Sequence, residues 1–265
     1  MKRIIILILI FLLIIIMSFL ISFLIKKKTK LNKTRHVVLF TCLITIVLTV
    51  SLSVAYLSIY SRADKSVKNF LRSDDEVNVK KISNGYFFDG AGTRDAIIFY
   101  PGAKVEYTSY APLMYELAAN GFDCFLLKMP LNMAVLGENK ADKIIKNYNY
   151  ESYYMAGHSF GGVVASSYAS KSDKIKGVIL LASYSTKTLD KDTLLIYGSN
   201  DGVLNKNEYE KAKTNYKNYK EVVINGGNHA QFGMYGTQKG DKKATIGYLD
   251  QQFITVNAII EYFKQ

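Results

Sequence analysis

Gly157-His158-Ser159-Phe160-Gly161 reads G-x-S-x-G, and its flanks suit a nucleophile. Before it, Tyr153-Tyr154-Met155-Ala156 has the aromatic and apolar texture of a short buried strand. After it, Gly162-Val163-Val164-Ala165 is small and apolar enough to pack as a helix against a sheet. A serine at such a tight strand-to-helix turn carries its hydroxyl out above the sheet, where it can attack a carbonyl carbon. Glycines two residues to either side let neighbouring backbone approach without a Cβ clash.

A serine hydroxyl is a poor nucleophile at neutral pH. It needs a base within reach, and the base needs a partner that holds its tautomer. The chain has 3 histidines. His36 adjoins Arg35 at the end of a long apolar run, and His158 precedes Ser159 at a turn where adjacent side chains diverge. His229 remains, in the loop Gly226-Gly227-Asn228-His229-Ala230-Gln231-Phe232-Gly233. The carboxylate should follow the preceding strand. Thr193-Leu194-Leu195-Ile196-Tyr197 runs into Gly198-Ser199-Asn200-Asp201-Gly202, which places Asp201 just past the strand end. Asp190 and Asp192 are rivals, but both precede that strand and would lie at its other end. The order Ser159, Asp201, His229 suits one fold and not those of the chymotrypsin or subtilisin type.

Acyl transfer also needs two backbone N–H groups aimed at the developing oxyanion. Phe160, directly after the serine, is the first candidate. The second should come from Pro101-Gly102-Ala103-Lys104-Val105, after the strand Ala96–Tyr100. Ala103 is the preferred donor there and Lys104 the runner-up. Lys104 is also a candidate contact for an anionic substrate. Tyr107 and Phe232, with Tyr100, Tyr110 and Tyr235, are candidates to line an aromatic substrate pocket.

The elements that must position these residues alternate short apolar runs with longer amphipathic ones, the mark of a mostly parallel α/β sheet flanked by helices. Strands are expected at 85–88, 96–100, 124–129, 153–156, 178–181, 193–197 and 221–224. Helices are expected at 109–120, 140–147, 161–170, 206–218 and 252–263. Residues 82–265 thus read as one domain, large enough for a good core but with little room for a lid. Residues 61–81, polar and mixed in charge, read as a linker or juxtamembrane helix.

The first 60 residues are of another kind. Ile4–Ile25 and Val37–Tyr60 are uncharged, and each is long enough to span a ~30 Å hydrocarbon core. Between them, Lys26 to His36 is a basic loop. Two transmembrane helices are therefore expected, about 4–25 and 37–60. The first run is too long and lacks the small-residue cleavage site of a signal peptide. Cys42 lacks the preceding small residues of a lipidated cysteine, and it lies too far from Cys124 in kind of element to form a disulfide.

Much of the net charge of +12 resides there, since the first 60 residues hold basic side chains and no acidic ones. That pattern suits contact with anionic lipid headgroups and not nucleic acid. The six basic residues of the loop are matched in number by Lys2, Arg3, Arg62, Lys65, Lys68 and Arg72 on the other side. Their closer spacing favours the loop inside and the domain outside the cell membrane.

These segments together resemble the α/β-hydrolase superfamily, in the small lidless group that includes dienelactone hydrolases and many bacterial esterases. The resemblance is carried by Tyr100-Pro101-Gly102 with Val105-Glu106-Tyr107, by Gly157–Gly162 and by Gly198–Gly202. It continues through Gly227–Gly233, Tyr235-Gly236 and Lys239-Gly240-Asp241. Many relatives have a histidine where this chain has Tyr100. The expectation is a membrane-anchored serine hydrolase acting on a small-molecule or lipid-like ester, or on an amide or thioester. No cofactor or metal is expected. An acyltransferase, a peptidase and a non-catalytic membrane scaffold are the rival readings.

Overall fold

The computed structural model describes residues 2–29, 34–90 and 94–264, with the side chains of 2–11, 27–29 and 34 outside that description. The chain divides into two compact units, Met1–Ile59 and Tyr60–Gln265.

The first unit holds helices α1 (Lys2–Thr29) and α2 (Thr34–Ser58). Their hydroxyl residues turn back onto their own helices. Ser22 donates to Ser18 O at 2.8 Å, Thr45 to Thr41 O at 2.8 Å and Ser58 to Val54 O at 2.8 Å. Such bonds remove the cost of a bare hydroxyl in apolar surroundings. Among the described residues one helix, Arg35–Ser58, is long and apolar enough to cross a membrane, with mean hydropathy 2.6. The described apolar part of α1, Leu12–Lys26, is shorter. The expectation of two spans thus finds one candidate here. The start of the first expected span and part of the basic loop lie outside the described residues.

The second unit is built on eight strands. They are β1 (Asn78–Ile82), β2 (Gly85–Asp89), β3 (Asp95–Tyr100), β4 (Asp123–Leu127), β5 (Ser152–His158), β6 (Ile175–Leu181), β7 (Leu189–Gly198) and β8 (Tyr216–Ile224). Their order is β1-β2-β4-β3-β5-β6-β7-β8. β2 pairs antiparallel with β1 and β4, and every other pairing is parallel. Five helices cover the sheet: α3 (Ala111–Ala119), α4 (Ala141–Asn147), α5 (Phe160–Ala169), α6 (Lys206–Ala212) and α7 (Tyr248–Phe263).

Strand alternation sorts the core into two layers. Ile97 and Phe99 of β3 face one layer with Leu113 and Leu117 of α3 and Val256 and Ile259 of α7. Ile98 and Tyr100 face the other, with Ile144 of α4, Val164 and Tyr168 of α5 and Tyr209 of α6. The parallel strands therefore bring their C-terminal ends, and the loops after them, to one edge.

Three elements depart from expectation. β1 is a polar edge strand with no buried residue, so no apolar run marks it. The helix expected over 206–218 ends at Ala212, and strand β8 begins at Tyr216. β8 is also an edge strand, exposed from Lys217 to Glu221, and its charge conceals it. Residues 61–81 are not a free linker. Ser61 bridges Val105, and Lys65–Leu71 forms a 3-10 helix whose first turn is capped by the Asp64 side chain. Val67 and Val77 from this segment are buried.

Candidate active site

Ser159 lies between the end of β5 and the start of α5, at φ 52° and ψ −129°. A side chain in this region costs on the order of 1–3 kcal/mol, so the surroundings must impose it. Three bonds do so. Ser159 N–H donates to Leu181 O at 2.9 Å, while its own C=O accepts from Gly162 N–H at 3.0 Å and from the Ser183 hydroxyl at 2.6 Å. A Cβ on Gly161 would sit 2.2 Å from Pro101 O, and one on Gly157 would sit 2.6 Å from Gly162 N. Gly161 is thus required for the turn to close against the loop after β3, and Gly157 for it to close against the first turn of α5.

That loop has one uncommitted donor. Lys104 N–H donates to Asn132 O at 2.9 Å, with Lys104 itself at φ 58°. Val105 N–H donates to Gly102 O at 3.3 Å, and Gly102 N–H donates to the Tyr110 hydroxyl at 3.1 Å. Ala103 N–H makes no hydrogen bond to a described residue, and neither does Phe160 N–H at the first turn of α5. Lys104, the runner-up, is engaged elsewhere.

Asp201 follows β7, and His229 follows β8. His229 Nδ1 and Asp201 Oδ2 are 2.9 Å apart, with both side chains shut from solvent. The other carboxylate oxygen of Asp201 accepts Val203 N–H and Leu204 N–H, each at 2.8 Å. Burial alone would raise the Asp201 carboxyl. The His229 bond and the two N–H groups outweigh it, and the net shift is downward. His229 Nε2 is buried and bonds to no described residue. Ser159 and His229 line one cleft of 210 Å³, with Phe160, Val163, Tyr184 and Leu204. Asp190 is exposed and paired with Lys191, far along β7 from this end.

Sequence reasoning missed the pair beneath the site. His158 Nδ1 lies 2.8 Å from the Tyr110 hydroxyl, which also receives Gly102 N–H. The His158 ring lies 4.5 Å from the His229 ring, centre to centre, tilted at 52° to it. Desolvation, then the nearness of His229, holds His158 well below the usual histidine range, so it is neutral. A Cβ on Gly102 would sit 2.9 Å from both His158 Nδ1 and the Tyr110 hydroxyl. The only signal for this cluster in the sequence is the histidine inside the serine motif.

The expected aromatic pocket is corrected by burial. Phe232 is 0% exposed, as are Tyr100 and Tyr110. Phe232 packs 5.7 Å from His158 and does not line the cleft. Tyr107 stacks on Tyr86 at 6.1 Å and does not line the cleft, nor does Lys104. A larger cavity of 710 Å³ opens on the other side of the His229 loop, among Asn228, Gln231, Met234, Asp241 and Tyr248. It contains none of the three candidate residues. No cluster of three or more metal-ligating side chains occurs among the described residues.

Residues 96–253, more than half of the chain, match the family model described as the alpha/beta hydrolase family. This chain belongs to the α/β-hydrolase family. The eight-stranded, mostly parallel sheet is its fold. Solved structures agree at the level of fold. One is a protein described as a predicted CIB-like hydrolase from Thermoplasma acidophilum, with TM-score 0.54 and 13% identity, covering 70% of this chain and 99% of that one. Another is Est1E from Butyrivibrio proteoclasticus with ferulic acid bound, with TM-score 0.53 and 14% identity, covering 73% of this chain and 98% of that one. No curated protein sequence matches this chain.

Proposed function

We propose that this α/β-hydrolase is a membrane-anchored serine esterase. The observation that carries the reading is the 2.9 Å pair of Asp201 and His229, with Nε2 of that histidine bonded to no described residue and His229 lining the same cleft as Ser159. Ser159 Oγ attacks the ester carbonyl while His229 Nε2 takes its proton. The C–O bond of the ester breaks, and His229 returns the proton to the departing alcohol. Water then attacks the acyl-enzyme by the same route and releases the acid. Asp201 holds His229 in the Nδ1–H tautomer and stabilises the imidazolium. Phe160 and Ala103 N–H groups receive the oxyanion. Ser159 Oγ makes no hydrogen bond to His229 Nε2 in this structure, and such bonds often tighten only when substrate binds.

The test is labelling with a fluorophosphonate probe, followed by 4-nitrophenyl ester turnover. Ser159→Ala should abolish labelling. Ser159→Ala, His229→Ala and Asp201→Asn should each lower kcat by roughly 10⁴-fold, with double variants little worse than single ones. Unchanged turnover in Ser159→Ala would remove the nucleophile.

The length and apolarity of Arg35–Ser58 support the anchor. The dense basic loop supports a domain outside the membrane, because each cation carried outward against 100 mV costs about 2.3 kcal/mol. Protease added to intact, wall-stripped cells should digest the domain. Survival of the domain until the membrane is opened would reverse the orientation.

A further inference from the structure

The first residues of the second unit lie against the loop after β3, whose Pro101 packs on Gly161 of the serine turn. Ser61 follows the last residue of α2, Ser58, by three residues and forms a parallel bridge with Val105. Its N–H donates to Lys104 O at 2.8 Å, and its C=O accepts Glu106 N–H at 2.8 Å. Ala63 N–H donates to the Glu106 carboxylate at 3.0 Å, and Asp64 N–H donates to Met234 O at 2.8 Å. The incoming segment is thus pinned between the loop after β3 and the loop that carries His229.

The same edge is apolar where it meets solvent. Lys104 N–H donates to Asn132 O, which ties the loop after β3 to the stretch after β4. That stretch exposes Leu131 (39%), Val135 (51%) and Leu136 (52%), and Phe160 at the cleft mouth is 39% exposed. Leu131 and Asn132 hold left-handed φ of 49° and 53°. Such strain ordinarily persists where it serves a function, and here it presents a leucine outward. Arg62, Lys65 and Lys68 are exposed on the incoming segment, where anionic headgroups would meet them. Apolar side chains beside cations suit the boundary between headgroups and acyl chains better than they suit water.

We propose that this face rests on the bilayer and that the substrate is an ester dissolved in the membrane, taken into the cleft from the lipid side. The proposal rests on α2 as a membrane span and on Ser159 as the nucleophile. An ester with a long acyl or alkyl chain need not cross water to reach Ser159. Leu131, Val135 and Leu136 offer its chain exposed apolar surface, and Phe160 lines the cleft itself.

The chain has no tryptophan, so an introduced one reports its own surroundings. The full chain is reconstituted into vesicles of phosphatidylcholine and phosphatidylglycerol, with and without brominated lipid. Val135→Trp should be quenched at least twofold by the bromines. Tyr219→Trp, on β8 away from the Ser159 end of the sheet, should not be. In the same vesicles, Leu131→Ser, Val135→Ser and Leu136→Ser combined should lower turnover of 4-nitrophenyl laurate tenfold or more. Turnover of water-soluble 4-nitrophenyl acetate should stay within twofold. A chain that floats with the vesicles but shows no quenching at Val135→Trp, or loses both esters equally, overturns this proposal alone. A chain that does not float overturns the anchor and the proposal with it. Quenching without fluorophosphonate labelling supports the membrane face and overturns the nucleophile.

Discussion

Ser159 combines chemistry with strain. At φ 52° it holds a conformation that glycine adopts at little cost. The hydroxyl is therefore kept against a local penalty that the Leu181, Gly162 and Ser183 bonds offset. Ser159→Gly and Ser159→Ala should both be inactive, yet their stabilities should differ. The glycine variant should unfold at about 1 kcal/mol higher free energy than the alanine variant. Urea titration of both proteins checks this. Equal midpoints would mean that the turn is not strained in solution.

The contact between elements that matters most runs through Tyr110. It ends the 3-10 turn Tyr107–Tyr110 ahead of α3 and ties the loop after β3 to His158 at the end of β5. Gly102 N–H and His158 Nδ1 share this one hydroxyl in a site with no solvent. Tyr110→Phe leaves both without a partner, at a cost of about 1–3 kcal/mol. It also frees the loop that holds Ala103. Turnover should fall roughly tenfold, since an oxyanion donor displaced only part-way loses less than the 10²–10³-fold that follows its removal. Steady-state kinetics and thermal melting read the two effects separately. No change in either would show that the loop is held by its other bonds.

For the domain as one folding unit, His158 makes stability depend on pH. It is neutral when folded but free to protonate, near its ordinary value of 6.5, when unfolded. Between its lowered folded value and 6.5 the unfolded chain binds a proton that the folded chain does not. Stability therefore falls as pH drops below about 6.5, by up to about 1.4 kcal/mol per pH unit, and is unaffected by this group above it. Tm should drop between pH 7.5 and pH 5.5, and His158→Gln should shrink that drop whatever its own stability at pH 7.5. An unchanged slope in the variant would assign the acid sensitivity to other groups.

The residues of the candidate site were legible because each announces itself locally. Ser159 sits in a motif with its own turn chemistry, while Asp201 and His229 each follow an apolar run in a Gly- and Asn-rich loop. The central strands were legible because a strand buried on both faces needs an unbroken apolar run, as in β3 and β6. β1 and the start of β8 were not, because an edge strand is half solvated and can be as polar as a loop. Burial was misread for the same kind of reason. By sequence Phe232 lies in a loop, Tyr100 at a strand end and Tyr110 at the start of a helix, yet packing from distant segments encloses them. The choice of Ala103 over Lys104 as the free donor depends on Asn132, and the tie of Tyr110 to His158 spans 48 positions. Periodicity and turn chemistry act over a few residues and are written in the local sequence. Which donor is left over, and which ring is covered, depends on residues that only the folded chain brings together.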